Sequence, residues 1–314
     1  MKYIKSDLML TAVSLLINFT AIDPLWAMME MATSENEIGE ETHRTLSHQK
    51  KLEKADIPEA LKKVQTKTLS IEDFAELLNS DSTLTNLNLY GSRIGTEGAI
   101  VLAKAFESNK TLTDLQLDYN NIGDEGVSAI AKSLESNKTL KNLNLYGNSI
   151  SVKGAIALAQ FLKFNKTLTK LALWGNSIST EGAIVLAKSL ESNGTLKELD
   201  LNNNYIGTEG AIALAKFLES NKTLMKLALG WNNIGAEGAI ALAQSLKSNK
   251  TLKNLNLYAT RINVKGAIAL AQSLESNETL TDLHLDFISI GDAGEKALET
   301  LKQKRPGLSV RISI

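Results

Sequence analysis

Two hydrophobic rhythms alternate along this chain. In Leu87-Asn88-Leu89 apolar and polar residues alternate, the period of a strand with one buried face, so that Asn86, Asn88 and Tyr90 point the other way. Further on, Ala99, Leu102, Ala103 and Phe106 follow the i, i+3, i+4, i+7 spacing of a helix with one buried stripe. The strand and helix return together every 28 residues, in eight units beginning at Thr83, Thr111, Thr139, Thr167, Thr195, Thr223, Thr251 and Thr279. Five slots never vary: Leu84, Leu87, Leu89, Ile94 and Gly98 of the first unit end as Leu280, Leu283, Leu285, Ile290 and Gly294 of the last. Units three and seven also share Thr139 to Tyr146 and Thr251 to Tyr258 letter for letter, as duplicated repeats would.

The punctuation predicts where each helix begins and ends. Gly95, Gly123, Ser151, Ser179, Gly207, Gly235, Asn263 and Gly291 are N-cap types at the helix start. Ser108-Asn109 and its equivalents close the helix, with Asn expected in the left-handed conformation. The invariant glycine at Gly98 falls in the first helical turn, where close helix-to-strand approach would exclude a side chain.

Leu112, Leu115, Leu117, Asn120 and Ile122 spell L-x-x-L-x-L-x-x-N-x-L, and the chain resembles the leucine-rich-repeat family. The 28-residue length and the helical half from Gly95 to Phe106 are similar to the ribonuclease-inhibitor-like class, as in NOD-like receptors. The resemblance implies an α/β right-handed solenoid, a horseshoe with parallel strands on the concave face and helices on the convex face. Strands stack about 4.8 Å apart and helices about 8–10 Å apart, so such a stack must curve. Ser92, Thr260 and Ile288 replace the asparagine in units one, seven and eight, which confines the asparagine ladder to units two to six.

The expected organisation is a signal peptide over 1–27, a flexible linker over 28–56, N-terminal capping helices over 57–82, eight repeats over 83–306 and a capping strand over 307–314. Lys2 and Lys5 precede the apolar run Leu8 to Ile22, which is too short for the ~20 residues of a membrane span and ends near Leu25-Trp26-Ala27. Secretion or export is therefore expected, with a hydrophobic capping helix or an uncleaved membrane anchor as the alternatives. Thr33 to Lys54 holds too few large apolar residues for a core, and Ile57 to Val64 suits one short amphipathic helix. Ser70-Ile71-Glu72-Asp73 reads as a helix start, with Phe74 to Leu78 as a half-repeat; Glu295 and Glu299 replace alanines in the last helix, before a strand at Leu308 to Ile314.

Charge and composition then remove function classes. Thirty-four Lys and Arg against 35 Asp and Glu supply no general field for nucleic acid. The absence of cysteine excludes disulfides, thiolate metal sites and thiol nucleophiles. His43, His48 and His284 assemble neither a triad nor a metal site, and Gly95-x-x-Gly98 is no phosphate loop. Asp200, Asn202, Asn203 and Asn204 look like oxygen ligands, but the register sends Asp200 and Asn202 to the concave surface and Asn204 to the ladder. The Asn-x-Thr sequons at Asn109, Asn137, Asn165, Asn193, Asn221, Asn249 and Asn277 follow the repeat, so helix closure explains them before glycosylation does. No cofactor, metal or small-molecule substrate is expected.

What remains is the variable concave surface. An aromatic follows the strand in seven of eight units, as Tyr90, Tyr119, Tyr146, Trp174, Trp231, Tyr258 and Phe287. With Asp200, Asn202 and His284 these form the candidate partner-binding set, centred on Tyr146, Trp174 and Trp231, since large aromatics on a rigid surface dominate interface energetics. The expectation is a non-enzymatic, monomeric module that binds a protein or peptide through its concave face. The alternative that the resemblance offers is a GTPase activator like the Ran activators, with Arg93 and Arg261 as charged contacts, or a membrane-anchored adaptor.

Overall fold

The structure, a computed structural model, describes residues 70–80 and 83–312, all within one compact unit spanning Lys51–Ile314. The expected leader, the linker and the short helix at Ile57 to Val64 lie outside the described residues. Helix α1 (Ile71–Ser80) is followed by β1 (Asn86–Asn88), α2 (Gly95–Ser108), β2 (Asp114–Gln116), α3 (Gly123–Leu134), β3 (Asn142–Asn144), α4 (Val152–Phe164), β4 (Lys170–Ala172) and α5 (Ser179–Leu190). Then come β5 (Glu198–Asp200), α6 (Gly207–Ser220), β6 (Lys226–Ala228), α7 (Gly235–Ser248), β7 (Asn254–Asn256), α8 (Val264–Leu274), β8 (Asp282–His284), α9 (Gly291–Lys304) and β9 (Ser309–Arg311). The nine strands form one parallel sheet in sequence order, with Leu87 paired to Leu115, Leu115 to Leu143 and so on at the repeat interval. This is the expected leucine-rich-repeat solenoid.

In-register leucines make the core a stack of identical layers. The strand leucines, the helix residues at the Ala99, Leu102 and Ala103 slots of units one to seven, and Phe161 and Phe217 are almost wholly buried. A layer cannot bury this surface alone, because each helix covers only its own strand and leans on its neighbours.

Buried and exposed residues mix in the turns between strand and helix, and the polar backbone on the buried side needs partners. Asparagine side chains supply them in units two to six. Asn148 donates through Nδ2 to the carbonyls of Leu117 (2.8 Å) and Tyr146 (2.9 Å), while its Oδ1 accepts from the amides of Asn120 (3.1 Å) and Ile122 (3.3 Å). All four bonding sites of the amide are thereby used. Where the ladder stops, Thr260 Oγ1 donates to the Leu257 carbonyl of its own unit and Ile288 is simply buried.

A second ladder runs where helices end. Asn109, Asn165, Asn221 and Asn249 are extended there, with φ between −64° and −72°, so the left-handed closure expected from the sequence does not form. Their side chains do the closing instead. Asn137 Oδ1 accepts from the amides of Thr139 and Leu140 (both 2.9 Å), and Nδ2 donates to the carbonyls of Phe106 (3.1 Å) and Asn109 (3.2 Å) one unit back. The seven sequon asparagines are all buried at 9% exposure or less, so the Asn-x-Thr pattern is the spelling of this ladder.

Two other local expectations are corrected. Of the eight repeat helices, only those at Ser151 and Asn263 are capped by a side chain; the other six starts have no side-chain cap and take positive φ, from 58° to 68°. At Gly95 and Gly123 this turns the amide onto the Asn120 and Asn148 carbonyls of the next unit (both 2.9 Å). The invariant glycine serves helix-to-helix contact, not helix-to-strand: a Cβ on Gly126 would lie 2.6 Å from Ile122 of its own unit and 3.0 Å from Ala99 of the preceding helix.

A helix lies before the first repeat and a strand after the last. The Ser70 hydroxyl accepts from the Asp73 amide at 3.0 Å, and α1 presents fully buried Phe74 to the first repeat. Strand β9 extends the sheet, with Leu308 and Val310 buried over the last unit.

Removing the Asn176 side chain abolishes donation to Leu145 and Leu173 and acceptance from Asn148 and Ile150. Asn176→Ala is expected to cost at least about 2 kcal/mol in equilibrium urea denaturation, against about 1 kcal/mol for Thr260→Ala, which loses one bond within its own unit. Equal costs would show that the ladder contributes nothing beyond a local hydrogen bond.

Candidate functional site

The second and third residues after each strand form a turn whose second member is left-handed in every unit, at Gly91, Tyr119, Gly147, Gly175, Asn203, Trp231, Ala259 and Phe287. Aromatics occupy either position. Tyr90, Tyr146, Trp174 and Tyr258 stand first and are followed by glycine or alanine; Tyr119, Trp231 and Phe287 stand second, at φ of 56–57°. A bulky side chain there crowds its own backbone and costs roughly 1–2 kcal/mol relative to the right-handed region.

The last strand residue braces the turn in four units. The Oδ1 atoms of Asn88, Asn144 and Asn256 accept from the amides of Tyr90, Tyr146 and Tyr258, at 2.9–3.1 Å, and Asp200 does the same for Asn202 at 2.9 Å. These polar strand residues therefore orient the rings as well as lining the open face.

The rings gather into two clusters. Tyr119 meets Tyr90 at 5.6 Å and Trp174 at 6.4 Å between centroids, and Trp174 meets Tyr146 at 5.7 Å. Tyr258 lies 5.4 Å from Trp231 and 5.1 Å from Phe287. A Cβ on Gly147 would come within 2.6 Å of the Tyr119 ring, so that glycine makes room for the first cluster. Tyr146, Trp174 and Trp231 thus do not form one centre, because unit five places Asn202 and Asn203 between Trp174 and Trp231. Trp231 and Phe287 are the most open of the seven rings, at 59% and 61% exposure. Tyr205, 64% exposed and also left-handed, lies beyond the ring positions of its unit, so the repeat pattern does not single it out.

Between the clusters the chemistry is polar. The Tyr146 hydroxyl donates to Asp200 Oδ2 at 2.5 Å, two strands away, and the intervening strand carries only Ala172 at that level. Glu198 bridges Lys226 at 2.9 Å and Lys170 at 3.6 Å across three neighbouring strands. Burial pushes the Glu198 carboxyl up, but Lys226 and then Lys170 outweigh it and hold the group below the usual carboxylate range. Burial raises the Asp200 carboxyl against the lowering effect of the Tyr146 hydroxyl and the Asn202 amide. It also raises the Tyr146 phenol, with help from the Asp200 charge, so the hydroxyl remains a donor. Asp118, another residue the sequence reading passed over, is almost fully buried, and its carboxyl too is raised by burial; its Oδ1 accepts from Asn144 Nδ2 at 3.0 Å.

The remaining candidates are dispersed. His284 is half-buried in β8, beyond the second cluster's centre. Asp200 and Asn202 do face the open surface and Asn204 does join the ladder, donating to Leu173 and Asn202 carbonyls. No group of three or more His, Asp or Glu suited to a metal exists among the described residues. Arg93 and Arg261 occupy equivalent exposed turns six units apart, so they cannot converge on one ligand atom.

A leucine-rich-repeat profile matches residues 80–103, 108–131, 136–159, 164–187, 192–215 and 220–243, at the same 28-residue interval. The chain belongs to the leucine-rich-repeat family, in its ribonuclease-inhibitor-like class. Repeats of this kind are typically protein-binding modules and not enzymes. No curated protein matches the sequence. Among solved structures, actin-binding site 2 of leiomodin-1 is similar with a TM-score of 0.41 and 21% identity, covering 58% of this chain and 88% of that one.

The raised Asp118 carboxyl sets a pH-dependent test. A folded-state value above the unfolded one means that the native chain binds more protons, so stability falls as pH climbs from the unfolded value through the folded one. Asp118→Asn keeps the acceptor for Asn144 and removes this loss. Its melting temperature is expected to exceed that of the parent at pH 7, by roughly 2–4 °C if the gain is about 1 kcal/mol. Below the ordinary carboxylate range the two proteins should melt together.

Proposed function

We propose that this chain is an exported protein-interaction module that captures a partner protein through the open face of its strand sheet, with the aromatic clusters as anchors. The observation that carries the reading is the placement of Tyr119, Trp231 and Phe287 in a left-handed turn where other units use glycine, alanine or asparagine. Ring contacts worth about 0.5–1.5 kcal/mol at most offset the roughly 1–2 kcal/mol that the left-handed turn costs, so folding gains little from a half-exposed ring there. Binding does gain, because each ring extends the neighbouring aromatic surface and is held by a rigid scaffold.

Export rests on the leader, Lys2 and Lys5 before Leu8 to Ile22, which belongs to the undescribed residues. No helix among the described residues is long and apolar enough to cross a membrane. Intact mass of the native protein checks this part of the reading. Loss of the first 27 residues is expected, and a full-length mass in a membrane fraction would favour an anchored adaptor.

The binding reading is tested by replacing Trp174 and Trp231 with alanine, one ring from each cluster. Interface anchors of this kind are each worth about 2 kcal/mol or more, so capture of the native partner should fall by well over tenfold. A variant that melts normally and captures every partner as before would remove the aromatic face from consideration.

A further inference from the structure

The balanced composition conceals a segregated surface. At the start of the five neighbouring strands β3 to β7, each unit presents one exposed lysine: Lys141, Lys170, Lys197, Lys226 and Lys253. They alternate between the residue before the strand and its first residue. In-register parallel pairing places successive units about 4.8 Å apart, so the run covers about 19 Å. A second exposed row, Lys138, Lys166, Lys222 and Lys250, lies just upstream in the loops that enter the strands.

Within the run the acid is Glu198, and its two bridges engage Lys170 and Lys226. Among the described residues no ion pair engages Lys141, Lys197 or Lys253. The run is also fenced: the same two positions read Thr113-Asp114 in unit two and Thr281-Asp282 in unit eight. A short positive stripe with acidic ends is the result, at the opposite end of the strands from the aromatic rings.

We propose that this stripe docks an acidic polypeptide segment of the partner, about six residues long at roughly 3.3 Å per residue. The inference rests on the protein-binding reading but on different side chains. Lysines are single point charges without the fork that grips phosphate, and Asp114, Glu198 and Asp282 would repel a continuous phosphate backbone at three places. A polypeptide can leave a gap between its carboxylates opposite Glu198. Exposed pairs are individually weak, but an ordered row sets the direction and speed of encounter while the rings supply the anchoring.

The test uses the full chain and a dye-labelled peptide with six consecutive glutamates, read by fluorescence anisotropy. Binding is expected to weaken at least about tenfold in the triple variant Lys141→Glu, Lys197→Glu, Lys253→Glu. A charge-matched control, Lys104→Glu, Lys132→Glu, Lys216→Glu on the helices, should bind as the parent does, because those exposed lysines lie away from the strands. Absence of binding, equal loss in both triple variants, or tighter binding of oligothymidylate or phosphatidylserine vesicles would each overturn the proposal. The Trp174 and Trp231 variant separates the two ideas. Hexaglutamate binding without aromatic-dependent capture refutes the anchors alone, and aromatic-dependent capture without hexaglutamate binding refutes the stripe alone.

Discussion

The structure depends on burying turns that carry unsatisfied backbone. A strand of three residues cannot bury its leucines unless the chain before and after it is buried as well, and buried amides and carbonyls left alone would cost more than those leucines return. Asparagine resolves the conflict because its side chain is a peptide group on a short arm, with two donors and two acceptor sites. One ladder serves the turn after the strand and the other serves the turn before it. Every strand-end ladder asparagine bonds to the preceding unit as well as its own, as Asn148 does, and so do most helix-end ones, as Asn137 does, while Asn165 and Asn221 turn Nδ2 onto a threonine of their own unit; the groups that satisfy a turn thereby also fix the stacking of repeats.

That arrangement divides each unit into positions with no freedom and positions with nearly complete freedom. The leucines, the ladder asparagines and the helical glycine are held by contacts on every side. The outward strand positions touch solvent, and there the units differ in charge, size and aromaticity. One constraint reaches even this face: the third strand residue braces the turn in the four units where it is asparagine or aspartate.

Period and burial were legible in the residues because each slot is sampled eight times. The strands and helices follow from slots that tolerate one chemistry, the limits of the ladder from the units where its slot changes, and the closing strand from the apolar alternation after Leu308. Backbone conformation was less legible. Glycine, serine and asparagine at the helix start are all cap types, yet only Ser151 and Asn263 cap; the others exploit a left-handed turn that composition does not distinguish from a cap. Asn109 failed in the opposite direction, with a residue suited to the left-handed region remaining extended because its side chain had a better bond to make. The aromatic positions were visible as a list, but their division into two clusters depends on whether a ring stands first or second in its turn.

Net charge misled for a related reason. A sum over the chain says nothing about fields when a repeat places the same slot on the same edge of the fold in every unit. Lysine at one strand end in five successive units makes a local potential that a value near zero cannot report. The same regularity makes the potential directional, since strand spacing sets the separation of the charges and the fenced ends set the length of the run. In a solenoid, recognition chemistry is written along the axis, one slot at a time, and the physically informative quantity is the sequence of residues within a slot.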